Sequence, residues 1–159
     1  MKIFSRILLA LLAILLLAQF VKPEKNIASG EQPNDIFIHY PATPQVQALV
    51  KKACYDCHSN NTNYPWYAEI QPLAWWINDH VKDGKRHLNF SEFAGYKPKK
   101  ANHKLEETFE QVEEHEMPLG SYTLIHKEAR LTAEEQQLLI DWAKSTRAKI
   151  VVPVELNEK

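Results

Sequence analysis

The stretch KKACYDCHSN, Lys51 to Asn60, holds both cysteines of the 159-residue chain, Cys54 and Cys57, with His58 directly after the second. Two thiols at this spacing make a redox dithiol, a short disulfide, half a zinc site, or the attachment point of a haem. Cys-x-x-Cys-His fits the last of these. Thiols about one helical turn apart reach the two vinyl groups of one porphyrin and form thioethers. The adjacent His58 is then held beneath the ring, where it ligates iron. Helices packed around one flat apolar ring make an all-α domain the expected fold.

The competing readings ask for other partners. A thioredoxin-like dithiol needs a βαβ context, and no strand pattern in the chain supplies one. A disulfide between Cys54 and Cys57 closes a very small loop. A Cys2His2 zinc site needs two further ligands. His80, His87, His103, His115 and His126 are available for it, but they are scattered without the short pairing usual in such sites. The haem reading therefore ranks first, with a zinc-stabilised interaction module as the alternative that lacks haem.

Upstream, Lys2 and Arg6 flank the apolar run ILLALLAILLLA, Ile7 to Ala18, and polarity returns at QFVKPEKN. A basic flank followed by an apolar run reads as a signal peptide or signal anchor over residues 1–22. No small-x-small cleavage site follows, and Ile3 to Val21 is just long enough to span, so the reading favours an uncleaved anchor. The body is then exported, on the periplasmic side of an inner membrane. Residues 23–40, which contain Pro, Gly, Ser and Asn and keep no sustained period, read as a linker that lifts the domain off the membrane. A net charge of −1, from 19 basic and 20 acidic residues, gives no sign of nucleic-acid binding.

The domain proper is expected over residues 41–150, with 151–159 as a tail. Thr43 and Pro44 open a helix whose apolar face is Val46, Leu49, Val50 and Ala53, running straight into Cys54. A second helix covers Pro72 to Lys82 and stops near Gly84. A third carries Leu105, Phe109 and Val112, and ends before Pro118. The fourth begins at a capping box, Thr132 with Glu135, and turns Leu138, Leu139 and Trp142 inward.

A haem iron needs a second axial ligand or an open pocket. Met117 is the only methionine outside the targeting segment, and it lies in the interhelical loop EMPLGSY beside Pro118. It ranks first as distal ligand, His126 second and His80 third. A thioether opposite histidine raises the reduction potential relative to two nitrogens. The other ring nitrogen of His58 needs an acceptor, expected to be a carbonyl of the loop containing Pro65. Trp66, Trp75, Trp76 and Trp142 are candidates to pack on the porphyrin. Lys82, Lys85, Arg86, Lys97, Lys99, Lys100 and Lys104 make either a basic rim that steers an acidic redox partner or an ordinary solvated surface, the simpler reading.

The run CYDCHSNNTNYPWYAEIQPLAWWINDHVKDGKRHLNFSEF, followed by EMPLGSYTLIHKEARLTAEEQQLLIDW, resembles the haem-binding domain family of exported bacterial proteins, itself similar in pattern to monohaem cytochromes c. The resemblance covers about Asp35 to Lys144. It implies one covalent haem c on Cys54 and Cys57, His58 as proximal ligand and Met117 as distal ligand. It names no partner and no reaction. The resulting expectation is a membrane-tethered electron carrier rather than an enzyme, working with a redox protein. A haem-based sensor or a peroxidase with an open distal site is the alternative.

Overall fold

In the computed structural model, which describes residues 2–153, the helix that leads into the cysteines forms as its sequence dictates. Thr43 Oγ1 accepts a hydrogen bond from Val46 N, Pro44 takes the first helical position, and α3 runs Pro44–Ala53 with Val46, Leu49, Val50 and Ala53 buried. It ends at Cys54, and a single further turn, α4 (Tyr55–His58), carries Cys57 and His58. Upstream lie α1 (Lys2–Ala18) and the short α2 (Ile36–His39). Downstream follow α5 (Leu73–His87), α6 (Pro98–Glu113), α7 (Gly120–Ile125) and α8 (Ala133–Ala148). Three short 3-10 turns, Trp66–Glu69, Phe90–Gly95 and Lys127–Ala129, link them. Among the described residues there is no strand, only one isolated antiparallel bridge, Ile27 with Asn61. The all-α expectation holds.

The most extensive helix pair is α6 with α8, and the next is α4 with α5. α8 starts at the complete capping box of Thr132 and Glu135 and buries Leu139, Ile140, Trp142 and Ala143. From α6 come Ala101, Leu105 and Val112. Phe109 is only half-buried, with Lys144 Nζ 4.9 Å from its ring centroid. Val46, Val50, Phe90 and Phe93 join α6 and α8 in one core.

α5 runs five residues past the expected end at Lys82 and passes through Gly84. This glycine is a contact point, not a stop. A Cβ there would stand 2.5 Å from the Cys57 carbonyl oxygen and 3.0 Å from Cys57 Cβ. The missing side chain lets α4 lie directly on α5. α6 ends instead at a residue in the left-handed region: His115 has φ of 60°, and both Glu116 N and Met117 N bond back to Gln111 O.

Two N-terminal expectations, an anchor and a free linker, find no support in the fold. α1 is a 17-residue helix with no buried residue, about 25 Å long at 1.5 Å per residue, against about 30 Å of bilayer hydrocarbon. No helix among the described residues is long and apolar enough to cross a membrane. The count from Ile3 to Val21 fails because the chain leaves the helix after Ala18 to dock on α5. Gln19 Oε1 accepts from Gln71 N at 3.0 Å, and Val21 O accepts from Gln71 Nε2 at 2.8 Å and Trp75 Nε1 at 2.9 Å.

Residues 23–40 are likewise not a free linker. Ile36 is fully buried, Asp35 caps α2 and accepts a hydrogen bond from Tyr55 OH, and the Asn26 amide donates to Ser59 O and Thr62 Oγ1. Their polar side chains, which made the stretch look solvated, are the groups that tie it down. Of the expected tail, Val151 to Pro153 have no regular structure, and residues 154–159 lie outside the described residues, as does Met1.

Candidate haem site

Cys54 and Cys57 are free thiols held by one turn of backbone, with Cys57 N and His58 N both bonded to Cys54 O. Burial pushes the Cys54 thiol up to about 12, helped by Cys57 beside it. Burial and the Asp56 carboxylate push Cys57 up to about 11. A redox-active dithiol needs a lowered pKa, so this environment disfavours the dithiol reading. Zinc fares no better: no group of three or more His, Cys, Asp or Glu among the described residues is arranged to hold a metal ion.

His58 is oriented for ligation. Its Nδ1–H donates to Leu88 O at 3.0 Å, so the ring lone pair is on Nε2, the nitrogen that would ligate a metal. The acceptor is therefore the residue just past α5, not the Pro65 loop, because Gly84 brings the end of α5 against α4. Burial lowers the His58 pKa and keeps the ring neutral, the form a metal requires. Phe90 packs at the ring, centroids 6.4 Å apart.

Beside Cys57 opens a narrow cleft of about 60 Å³. Ile77 and Val81 of α5, Leu119 and Ile125 form much of its apolar lining. Two free thiols and a histidine that commits Nδ1 to a backbone carbonyl are the donor set of a covalently attached haem, but of the three only Cys57 lines the cleft. Cys54 packs instead against the apolar core, and Cys54 and His58 lie outside the cleft lining. A second hollow, lined by Asn102, Lys144, Arg147, Ala148 and Ile150, lies between α6 and α8 and has no part in this chemistry.

The three candidate distal ligands separate here. His80 and His126 both line the cleft; Met117 does not, although Leu119 of the same loop does. His80 donates from Nδ1 to Trp76 O at 2.8 Å. His126 is fully engaged: Nε2 accepts from Tyr67 OH at 2.6 Å, and Nδ1 faces Glu128 Oε1 at 3.1 Å. The His126 ring lies flat on Tyr122, centroids 4.3 Å apart and planes at 16°. Tyr122 OH donates to Asp56 Oδ2 at 2.7 Å, and Asp56 Oδ1 accepts from Asn63 N. Burial, with Asp56 nearby, raises the pKa of both tyrosines.

These tyrosines were not among the candidates read from the sequence. The available signal was SYTLIH, in which Tyr122 and His126 stand four apart and meet on one helical face.

Of the four tryptophans, Trp76 lines the cleft. Trp142 is buried between Phe37 and Phe90, and its Nε1–H has no partner among the described residues. Trp66 is 77% exposed. The basic residues do not form one free rim. Arg86 pairs with Asp83, Lys104 with Glu107, and Lys85 donates to Asn26 Oδ1. Lys82, Lys97 and Lys99 are solvent-exposed.

No curated protein and no solved structure matches the chain. A family model described as haem-binding domain matches residues 13–145, most of the sequence. The chain that places two free thiols and an oriented histidine on one turn is thus a member of the haem-binding domain family.

Proposed function

We propose that the protein is a monohaem, c-type cytochrome-like electron carrier. Cys54 and Cys57 hold the haem through thioethers, His58 is its proximal ligand and Met117 its distal one. Bound there, haem supplies one-electron cycling between ferric and ferrous iron. The observation that carries this reading is the His58 geometry: Nδ1–H donates to Leu88 O, so the ring lone pair is on Nε2, and two free thiols stand on the same turn. The chain's own part is to fix that imidazole, keep it neutral by burial and offer an apolar wall. Lys2, Arg6 and the apolar α1 would act as an export signal, delivering the domain to the periplasmic side of the inner membrane, where a redox protein exchanges electrons with it. No substrate site is needed for this role.

The test is covalent haem. The chain is expressed with a c-type maturation system, denatured and extracted with acid solvent, and the pyridine haemochrome is recorded. A two-thioether spectrum that shifts to a one-thioether spectrum in Cys57→Ser is the expected result. Absence of attached haem while a control cytochrome matures would defeat the proposal. A second reading, a haem-based sensor or peroxidase, draws on one observation: Met117 is absent from the cleft lining. A high-spin ferric spectrum in the wild type would favour it.

A further inference from the structure

Four side chains from three separate elements form one continuous chain of contacts along the cleft. Tyr67, in the Trp66–Glu69 turn, donates to His126 Nε2 at 2.6 Å. The His126 ring stacks on Tyr122 of α7. Tyr122 donates to Asp56 Oδ2 at 2.7 Å, inside the Cys-x-x-Cys-His turn itself. All four residues line the same cleft as Cys57. We infer that His126 is a positioning residue and not an iron ligand: it is the centre of a Tyr67–His126–Tyr122–Asp56 clasp that holds the cleft wall in place and so hinders exogenous ligands.

The geometry argues for this in three ways. Both ring nitrogens of His126 are engaged, so ligating iron would break the short Tyr67 bond and leave that phenol unpaired in a partly buried site. The flat stack on Tyr122 fixes the ring plane, which a ligating ring would have to leave. Finally, the Asp56 end of the chain is anchored twice more, through Asn63 N at 3.0 Å and through its own carbonyl, which accepts from Thr62 Oγ1 at 2.6 Å. The clasp thereby ties α7, which has no buried residue of its own, to the turn that bears the thiols. Hydrogen bonds do here what apolar burial does elsewhere in the fold.

This inference rests on the haem reading above, and the experiment separates the two. Full-length holoprotein is prepared as wild type, Tyr67→Phe, Tyr122→Phe and His126→Gln, with imidazole and cyanide as probes of the ferric iron. Both Phe variants keep their rings, and Tyr122→Phe keeps the stack, so they guard against simple misfolding. Each Phe variant is expected to retain covalent haem and a low-spin spectrum, while probe affinity rises about tenfold, the equivalent of one lost hydrogen bond. Unchanged probe affinity in both Phe variants would overturn the clasp. So would a His126→Gln protein that turns high-spin while the Phe variants stay low-spin, since His126 would then be the ligand. A wild type without attached haem would instead sink the underlying reading, and the inference with it.

Discussion

At the scale of single residues, the thiols are set by burial more than by any partner. As free thiols, Cys54 is pushed by burial up to about 12 and Cys57 up to about 11, from 9.0 for an unperturbed thiol. A raised folded-state pKa contributes stability that is fully present below the unfolded value and is lost as pH rises through the folded one. Urea midpoints of the haem-free protein should therefore fall between pH 9 and about pH 11 to 12. Cys54→Ala/Cys57→Ala should lack that part of the fall, and an equal fall in the double variant would show that other groups cause it. A second residue-scale consequence concerns Trp142, whose buried Nε1–H has no partner among the described residues. An orphaned donor costs about 1–3 kcal/mol, which offsets much of the packing lost in Trp142→Phe. That variant should lie within about 1 kcal/mol of wild type, whereas Trp142→Ala should lose about 3–5 kcal/mol. Urea denaturation compares the two directly, and a Phe variant as damaged as the Ala variant would mean the indole nitrogen is satisfied in solution.

At the scale of elements, the position of the site depends on one helix crossing. Gly84 lets α5 touch the backbone of Cys57, and Leu88, one residue beyond α5, supplies the acceptor for His58. Gly84→Ala puts a methyl group 2.5 Å from a carbonyl oxygen, where backbone has to move. The expected cost is about 1–3 kcal/mol, together with a lower yield of haem attachment, because the same displacement pulls Leu88 O from His58. Normal yield with normal stability would show that α4 and α5 are separable. This contact also explains what the sequence could and could not disclose. The caps at Thr43 and Thr132 and the inward faces of α3 and α8 were legible, because capping and helical periodicity are local. Cys-x-x-Cys-His was legible for the same reason. Gly84 was read as a helix end, since a glycine that stops a helix and a glycine that admits a neighbour have identical local sequence. The His58 acceptor and the Tyr67–His126 bond were hidden because their partners lie 30 and 59 residues away in the chain. His115 was missed as well: a non-glycine residue at φ of 60° leaves no mark in composition.

For the whole molecule, the question is where the folded unit begins. Composition placed that boundary at residue 41, after an anchor and a linker. The contacts place it near Gln19, because Gln19 and Val21 bind Gln71 and Trp75, Asn26 binds the Ser59–Thr62 loop, and Ile36 is core. α1 stands outside this network, with no buried residue from Lys2 to Ala18. Apolar surface stabilises a fold only when it leaves water, by about 25 cal/mol per Å², and α1 removes little. Two truncations follow. A chain starting at Gln19 should unfold within about 2 °C of the full-length protein, a shift equivalent to well under 1 kcal/mol for a domain of this size. A chain starting at Pro41 loses Ile36, the Asp35–Tyr55 bond and the Asn26 contacts together. Deleting one fully buried isoleucine alone costs about 2–5 kcal/mol, so this shorter chain should unfold at least 10 °C lower or fail to fold. Thermal melts followed by circular dichroism, on both truncations and the full chain, distinguish the two boundaries. If the Pro41 chain melts with the others, residues 23–40 are a linker after all, and their contacts with the domain contribute nothing to its stability.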